Sequence, residues 1–402
     1  MLIVHPRDLA EPTGGGIQTF LRDFVTHSPL DFEISVAGFT ADPRARPVGT
    51  WSTVEIGQRR ARFLPVARSG SLARQPLGLA RTLGALRTLR HEMRQPGTIL
   101  QLHRPYRAFL LAGHRGPRVQ IIHLDLDAWP GPSGWHRLSW LYRDFADGLE
   151  QFDRVFVANE AGAEKLRLEN PSAAPRIEYL SGWYDDGVFN PRAHSSRDGI
   201  RDALCATFGL PAPKVSEKWV LFVGRLDQIK APELMVDSFA ELARTAGQPV
   251  RLIVCGDGPM LPAVLRRAGE RDVADRTHVI GDQPRDVVAQ LMAAADVLIV
   301  TSEAEGGGPR VVLEALGSGL PVVSTIVGEV RRSVTSGSNG WLAEARTADA
   351  LAAGLRWALE QPREPIATTA ANAARSFIAS AVLQPLYDRY RELARSPTQG
   401  RG

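Results

Sequence analysis

The apolar run Val297 to Val300 leads through Thr301-Ser302-Glu303-Ala304-Glu305 into a triple-glycine turn, Gly306 to Gly308. Pro309 then opens a short helical pattern carrying Glu314, and Pro321 to Val323 reads as another strand. Strand, glycine-rich loop, helix and strand in that order point to an α/β unit. Bare backbone amides and a helix N-terminus there face whatever sits at the strand end, which favours a phosphate or a sugar. The loop carboxylates suit hydroxyl groups, so the segment reads as a nucleotide-sugar site.

The same alternation runs along the chain. Strand-like stretches at Leu2 to Val4, Ile34 to Gly38, Ile99 to Leu102, Val119 to His123 and Arg154 to Ala158 are separated by helical patterns at Ile17 to Thr26, Leu77 to Met93 and Leu138 to Phe152. A polar, Pro- and Gly-punctuated stretch follows, and a second series starts at Trp219 to Val223. It continues through Pro232 to Thr245, Arg251 to Val254, Leu261 to Gly269, His278 to Ile280 and Val287 to Ala294. Strands with helix-length crossovers imply parallel, doubly wound sheets. The expected organisation is a first domain over 1–190, a linker over 191–215, a second domain over 216–375 and a C-terminal helix over 376–402. That last segment carries Leu383, Leu386, Tyr387 and Tyr390 at spacings of three and four, so it buries one stripe; the spacing does not say against what, and a return to the first domain is one placement open to it. Ligands of open α/β sheets sit at the carboxyl ends of the strands, here expected between the two halves.

Composition excludes several classes. Two distant cysteines, Cys205 and Cys255, form neither a disulfide framework nor a metal motif. The sequence shows no secretory leader pattern and no long apolar run, so a cytoplasmic protein, soluble or peripheral at the inner membrane face, is expected. Net charge is only +4, and arginine outnumbers lysine 44 to 4 throughout the chain, which argues against nucleic acid. One local excess stands out: fifteen arginines between Arg44 and Arg118 against only Glu55 and Glu92. Such a face would attract an anionic lipid surface or a pyrophosphate-bearing acceptor; the alternative is a solvated helix surface.

The second half carries the chemistry. Gly224-Arg225-Leu226-Asp227-Gln228-Ile229-Lys230 follows directly on a strand and puts two cations on the loop entering a helix. A diphosphate leaving group needs charge neutralisation as its bond to the sugar breaks, and Arg225 with Lys230 supplies it without metal. Gly256-Asp257-Gly258-Pro259 ends the next strand in a glycine turn, either a ligand loop or a plain tight turn. It lacks the complete dinucleotide fingerprint, which counts against a nicotinamide enzyme.

Gly224-Arg225-Leu226 with Lys230, Gly256 to Pro259, Ile280-Gly281, Pro309 to Glu314 and Gly319 to Val323 together resemble the retaining glycosyltransferases of family 4. The resemblance spans nearly the whole second half. It implies the GT-B architecture, two Rossmann-like domains with the nucleotide-sugar donor held mainly by the second, and transfer without a metal or other cofactor; for the acceptor, the basic first half favours a lipid-linked or otherwise anionic glycan. Carried over by position, Arg225 and Lys230 hold the donor diphosphate, Glu314 the ribose hydroxyls, Gly306, Gly307, Gly308 and Pro309 the sugar, and Ile280 the base. The family's two glutamates have seven residues between them; here Gly306 stands where the first belongs, so Glu305, one residue further off, is the candidate rather than Glu303. In the first half, Gly14, Gly15 and Gly16 match the family's glycine loop. His123, at the end of Val119 to Ile122, matches its strand-end histidine, which orients the donor sugar or phosphate. His103 is the candidate facing the acceptor. The alternatives are a catalytically silent nucleotide- or glycan-binding GT-B protein and a sugar-nucleotide epimerase of the same two-domain plan.

Overall fold

The computed structural model describes residues 1–5, 8–10, 16–68, 88–95, 97–103, 114–123, 148–191 and 197–395. The chain divides into two units: Met1–Ser181 with Ser380–Gly402, and Gly182–Ala379.

The first unit is built on an eight-stranded sheet. Its strands are β1 (Leu2–Val4), β2 (Ser35–Thr40), β3 (Ser52–Ile56), β4 (Arg59–Arg68), β5 (Leu100–Leu102), β6 (Arg118–Ile122), β7 (Arg154–Val157) and β8 (Ile177–Tyr179). They lie in the order β3-β4-β2-β1-β5-β6-β7-β8. Every neighbouring pair is parallel except the β3–β4 hairpin. Strand β1 is wholly apolar and buried, and β5 and β7 are buried apart from Arg154, with Gln101 the polar residue of β5, as expected of a sheet covered on both faces. Helices α1 (Gly16–Thr26) and α2 (Glu160–Glu169) are the longer described helices before the chain leaves the unit.

The hairpin is absent from the sequence reading, where its residues count only toward the arginine-rich stretch. Its alternation is nonetheless regular: Val54, Ile56, Ala61 and Phe63 are buried while Glu55, Arg60 and Arg62 are exposed, and Gly57 turns at φ +58°. Much of the described basic excess is engaged within the unit. Arg46 pairs with buried Asp8, Arg60 with Glu55 and Arg62 with Glu92. Arg62 also lies 4.3 Å from the Trp51 ring centre, and Arg59 donates to Ser28 Oγ and the carbonyls of Pro29 and Phe32. Residues 69–87 and 104–113 of that stretch lie outside the described residues.

The C-terminal helix α3 (Ala379–Arg395) buries Leu383, Leu386, Tyr387 and Tyr390, the stripe its spacing predicts. Tyr387 donates to the Phe24 carbonyl oxygen at 2.6 Å, and the Tyr390 ring packs edge-on against Phe24 and Phe156. All these groups belong to the first unit.

The second unit holds six parallel strands: β9 (Lys218–Val223), β10 (Val250–Cys255), β11 (Thr277–Gly281), β12 (Val297–Val300), β13 (Val322–Thr325) and β14 (Gly340–Ala343). Their order, β11-β10-β9-β12-β13-β14, is the doubly wound dinucleotide-fold order, with its reversal between β9 and β12. Alternate residues feed opposite cores. Leu221, Ile253, Leu298 and Val322 face one apolar cluster, and Val220, Phe222, Leu252, Val254, Val297 and Ile299 face the other. Each such side chain contributes about 1.5–3 kcal/mol by burial, which explains why these strands read as unbroken apolar runs.

The 191–215 stretch, expected as a linker, instead carries a helix over Arg197–Phe208 that packs into the second unit. Its inward face explains the misreading, because alongside Leu204 and Cys205 it buries Arg201. That guanidinium donates to the carbonyls of Ala294 and Glu217 at 2.9 Å and to Asp296 Oδ2 at 2.8 Å. Asp296 also pairs with Arg197, accepts from the Trp219 amide at 2.7 Å and is nearly buried. A helix docked through a buried ion cluster shows little apolar periodicity.

Candidate functional site

In the second unit, the strand-order reversal brings the loop after β9 beside the loop after β12. Asp227 organises the first loop: its Oδ1 accepts from the Lys230 amide and its Oδ2 from Arg225 Nε, both at 3.2 Å. Gln228–Lys230 forms a single tight turn, Ala231 follows at φ +45°, and Pro232 starts the next helix, Pro232–Thr245. The two loops are laced together by Thr301 Oγ1 donating to the Lys230 carbonyl and by the Glu303 amide donating to the Ile229 carbonyl, each at 2.7 Å.

This frame delivers the Lys230 ammonium to Glu305, and the two form an ion pair. Ser302 Oγ donates to the same carboxylate oxygen at 2.7 Å, while Thr325 Oγ1 holds the Ser302 carbonyl at 2.8 Å. Lys230 and Glu305 are partly covered, with side chains 27% and 16% exposed; Arg225 is 64% exposed and held only at Asp227 among the contacts described. Glu303 turns to Arg346 at 2.7 Å. The structure therefore joins Lys230 to Glu305, two residues that the sequence reading assigned to different parts of the ligand. Asp227 and Ser302 were missed. Asp227 was legible as a helix-capping residue three positions before Lys230, but Ser302 had no local signal.

The other assigned positions surround this pair in different ways. A Cβ on Gly256 would lie 1.9 Å from the Gly224 carbonyl oxygen, so the ends of β9 and β10 pack backbone to backbone and Gly256 is required for packing. Gly307 packs likewise: a Cβ on Gly328 would meet its carbonyl oxygen at 2.0 Å. Gly308 and Pro309 lead into the helix Arg310–Gly317, with Pro309 at its N-cap and Glu314 in its second turn, partly exposed beside buried Leu313 and Ala315. Ile280 is the last residue but one of β11, packed against the apolar cluster. A cavity of about 610 Å³ lies beside the Lys230 loop, lined by Gln228, Glu233, Met260, Glu303 and Arg346 among others. Pro259 of the glycine turn after β10 lines it, whereas Arg225, Lys230, Glu305 and Glu314 are not among its lining residues.

The first unit repeats the logic, with its reversal between β1 and β5. His5 follows β1, His103 follows β5 and His123 follows β6, so three histidines gather at the carboxyl ends of the strands. The rings of His103 and His123 stack 5.2 Å apart and 12° from parallel, and His103 Nδ1 meets His123 Nε2 at 2.9 Å. Phe20 of α1 stands edge-on to both. His103 is buried rather than open to an acceptor. Burial, then the neighbouring His123 and His5, hold its pKa well below the ordinary histidine range. Gly16 is the exposed first residue of α1; Gly14 and Gly15 lie outside the described residues. Among the described residues, no group of three or more His, Cys, Asp or Glu side chains is placed to hold a metal ion. No described helix is long and apolar enough to cross a membrane.

Two parallel Rossmann-like sheets, each gathering polar groups beside its strand-order reversal, define an α/β protein of the GT-B class. Residues 211–377 match the family described as glycosyl transferases group 1. A D-inositol 3-phosphate glycosyltransferase of Mycolicibacterium smegmatis is 32% identical over 230 residues, covering 56% of this chain and 49% of that protein. The chain thus spans about half the length of that curated relative. Two solved structures share the fold across nearly the whole chain. Sucrose-phosphate synthase from Thermosynechococcus elongatus has a TM-score of 0.74 at 18% identity, covering 98% of each chain. HepE from Anabaena, in complex with UDP-glucose, has a TM-score of 0.72 at 19% identity, covering 97% of this chain and 99% of that one.

Proposed function

We propose that the chain is a retaining, metal-independent glycosyltransferase of the family 4 type, moving a sugar from a nucleoside diphosphate donor to a hydroxyl acceptor. The observation that carries this reading is the Lys230–Glu305 pair. It sits where the β9 and β12 loops meet at the strand-order reversal, within the segment that matches the family. In the proposed reaction, the bond from the anomeric carbon to the diphosphate breaks and the acceptor oxygen attacks the same face. The acceptor's proton passes to the departing phosphate. Lys230, oriented by Glu305, neutralises the charge that grows on that phosphate, with Arg225 assisting from solvent. Glu314 is assigned to the ribose hydroxyls, Ile280 to the base, the Gly306–Pro309 backbone to the sugar and His123 to a substrate oxygen.

For the acceptor we propose a glycan or lipid-linked precursor carrying phosphate. The arginine-rich stretch of the first unit and the phosphorylated acceptor named for the Mycolicibacterium relative support it. Peripheral attachment to an anionic membrane on the cytoplasmic side belongs to the same proposal.

The test begins with UDP-, GDP- and ADP-sugars in thermal unfolding, since a bound donor raises the midpoint by mass action. NMR of the product from the stabilising donor then shows whether the anomeric configuration is kept, with and without a chelator. An inverted product, or turnover abolished by the chelator, would sink the mechanism. Donor conversion with no sugar transferred would favour an epimerase, and donor binding without any turnover a silent binding protein.

A further inference from the structure

A hydrogen-bond chain runs through the buried core of the first unit, from the C-terminal helix to the strand-end histidine. Tyr390 Oη lies 2.7 Å from Gln101 Oε1, Gln101 Nε2 lies 2.6 Å from His103 Nε2, and His103 Nδ1 lies 2.9 Å from His123 Nε2. Tyr390 is fully buried, Gln101 equally so and His103 nearly so, whereas His123 is partly exposed. The proposed reaction uses His123 and none of the other three.

Such a chain can be polarised in two directions, and its buried end, at Tyr390, favours one of them. The Tyr390 hydroxyl has one proton to place. The described hydrogen bond of this hydroxyl is to Gln101 Oε1, a strong acceptor, while the ring packs edge-on against Phe24 and Phe156. Burial, with Tyr387 nearby, holds the phenol pKa well above its ordinary value, so this proton stays in place. Reversing the chain would take this buried proton off its described acceptor, which biases the equilibrium about ten-fold or more toward the forward direction.

The forward direction fixes each partner in turn. Gln101 accepts from Tyr390 at Oε1 and donates from Nε2, so His103 accepts at Nε2 and carries its proton on Nδ1. That proton goes to His123 Nε2, which leaves the His123 proton on Nδ1. We infer that Tyr390 and Gln101 are positioning residues that hold His123 in its neutral Nδ1–H tautomer, so that it donates a hydrogen bond to a substrate oxygen rather than serving as a base. Protonating His123 would aim an Nε2–H at the Nδ1–H of His103, so the chain also resists the charged form. The bearing on substrate rests on the function proposed above; the tautomer itself does not.

The experiment is two-bond ¹H–¹⁵N correlation spectroscopy on the whole protein labelled with ¹⁵N-histidine, using His123→Asn to assign the signal. The wild-type protein is expected to show a protonated Nδ1 and a pyridine-like Nε2 on His123 at neutral pH. Tyr390→Phe, which removes the deciding proton, and Gln101→Met, which cuts the chain, are each expected to move His123 to a mixture of tautomers. An Nε2–H resonance on His123 in the wild type, or a pattern unchanged by both substitutions, would overturn the inference. The wild-type spectrum needs no turnover. A protein with the expected tautomer that binds no sugar nucleotide would therefore overturn the proposed function and leave the relay standing.

Discussion

Replacing Lys230 with methionine removes a charge and keeps most of the stem, and the structure sets how much transfer should suffer relative to the same change at Arg225. Two unit charges 4 Å apart interact by about 4 kcal/mol at an effective dielectric of 20 and by about 1 kcal/mol in water. Lys230, 27% exposed, lies between the laced loops near the first condition; Arg225, 64% exposed and bonded to Asp227, lies near the second. Lys230→Met is therefore expected to lower kcat by roughly 10²–10³-fold. Arg225→Met should lower it by about 5–10-fold, since an exposed guanidinium already shared with a carboxylate is well screened. The charge that Lys230 meets grows as the diphosphate leaves, so the loss should fall on kcat with the donor KM little changed. Steady-state kinetics with the stabilising donor measure both values, and thermal unfolding checks that Glu305, still accepting from Ser302, tolerates the loss of its cation. Equal losses at the two positions, or a Lys230→Met defect confined to KM, would refute the assignment of Lys230 to the leaving group.

Three further outcomes are expected. Asp296→Asn leaves Arg201 buried without its carboxylate and should destabilise the second unit by about 3–5 kcal/mol in urea unfolding. Burial pushes Asp296 up, yet Arg197 and Arg201 outweigh it and hold its carboxyl below 3.8; this contribution is present above the ordinary aspartate range and is lost as the pH falls through the depressed value, a loss Asp296→Asn should abolish. His103 is depressed chiefly by burial, so the unfolded chain takes up its proton first. Stability should fall by up to about 1.4 kcal/mol per pH unit as the pH drops below 6.5, and His103→Gln should flatten that slope. Gly256→Ala drives a Cβ to 1.9 Å from the Gly224 carbonyl oxygen, and should lower stability by about 3 kcal/mol, or roughly 6–12 °C in midpoint for a unit of this size.

Both sheets were legible in the sequence because their central strands are buried on two faces and therefore read as apolar runs. The strands that escaped are those with one wet face or little length: the β3–β4 hairpin, whose outer positions are arginines, and the short edge strands β8 and β14. The helix over Arg197–Phe208 escaped because a buried arginine holds part of its inner face. At the site, the loop after β9 and the glycine turn after β12 were found because punctuation follows strands there. The Lys230–Glu305 contact was not, since it joins residues 75 apart in sequence through loops laced by Thr301 and Glu303. His103 illustrates the opposite case: a strand-end histidine followed by Arg104 looked ligand-facing, but the assembled sheet buries it against His123.

The C-terminal helix also sets an order of events during synthesis. Tyr387 and Tyr390 fill the core of a unit whose other residues end at Ser181, while the chain from Gly182 to Ala379 forms a separate body. Some 198 residues lie between Ser181 and Ser380, so at ribosomal speeds the earlier body waits roughly 10–40 s for the piece that seals it. The nascent first unit must spend that interval without the side chains that cover Phe24.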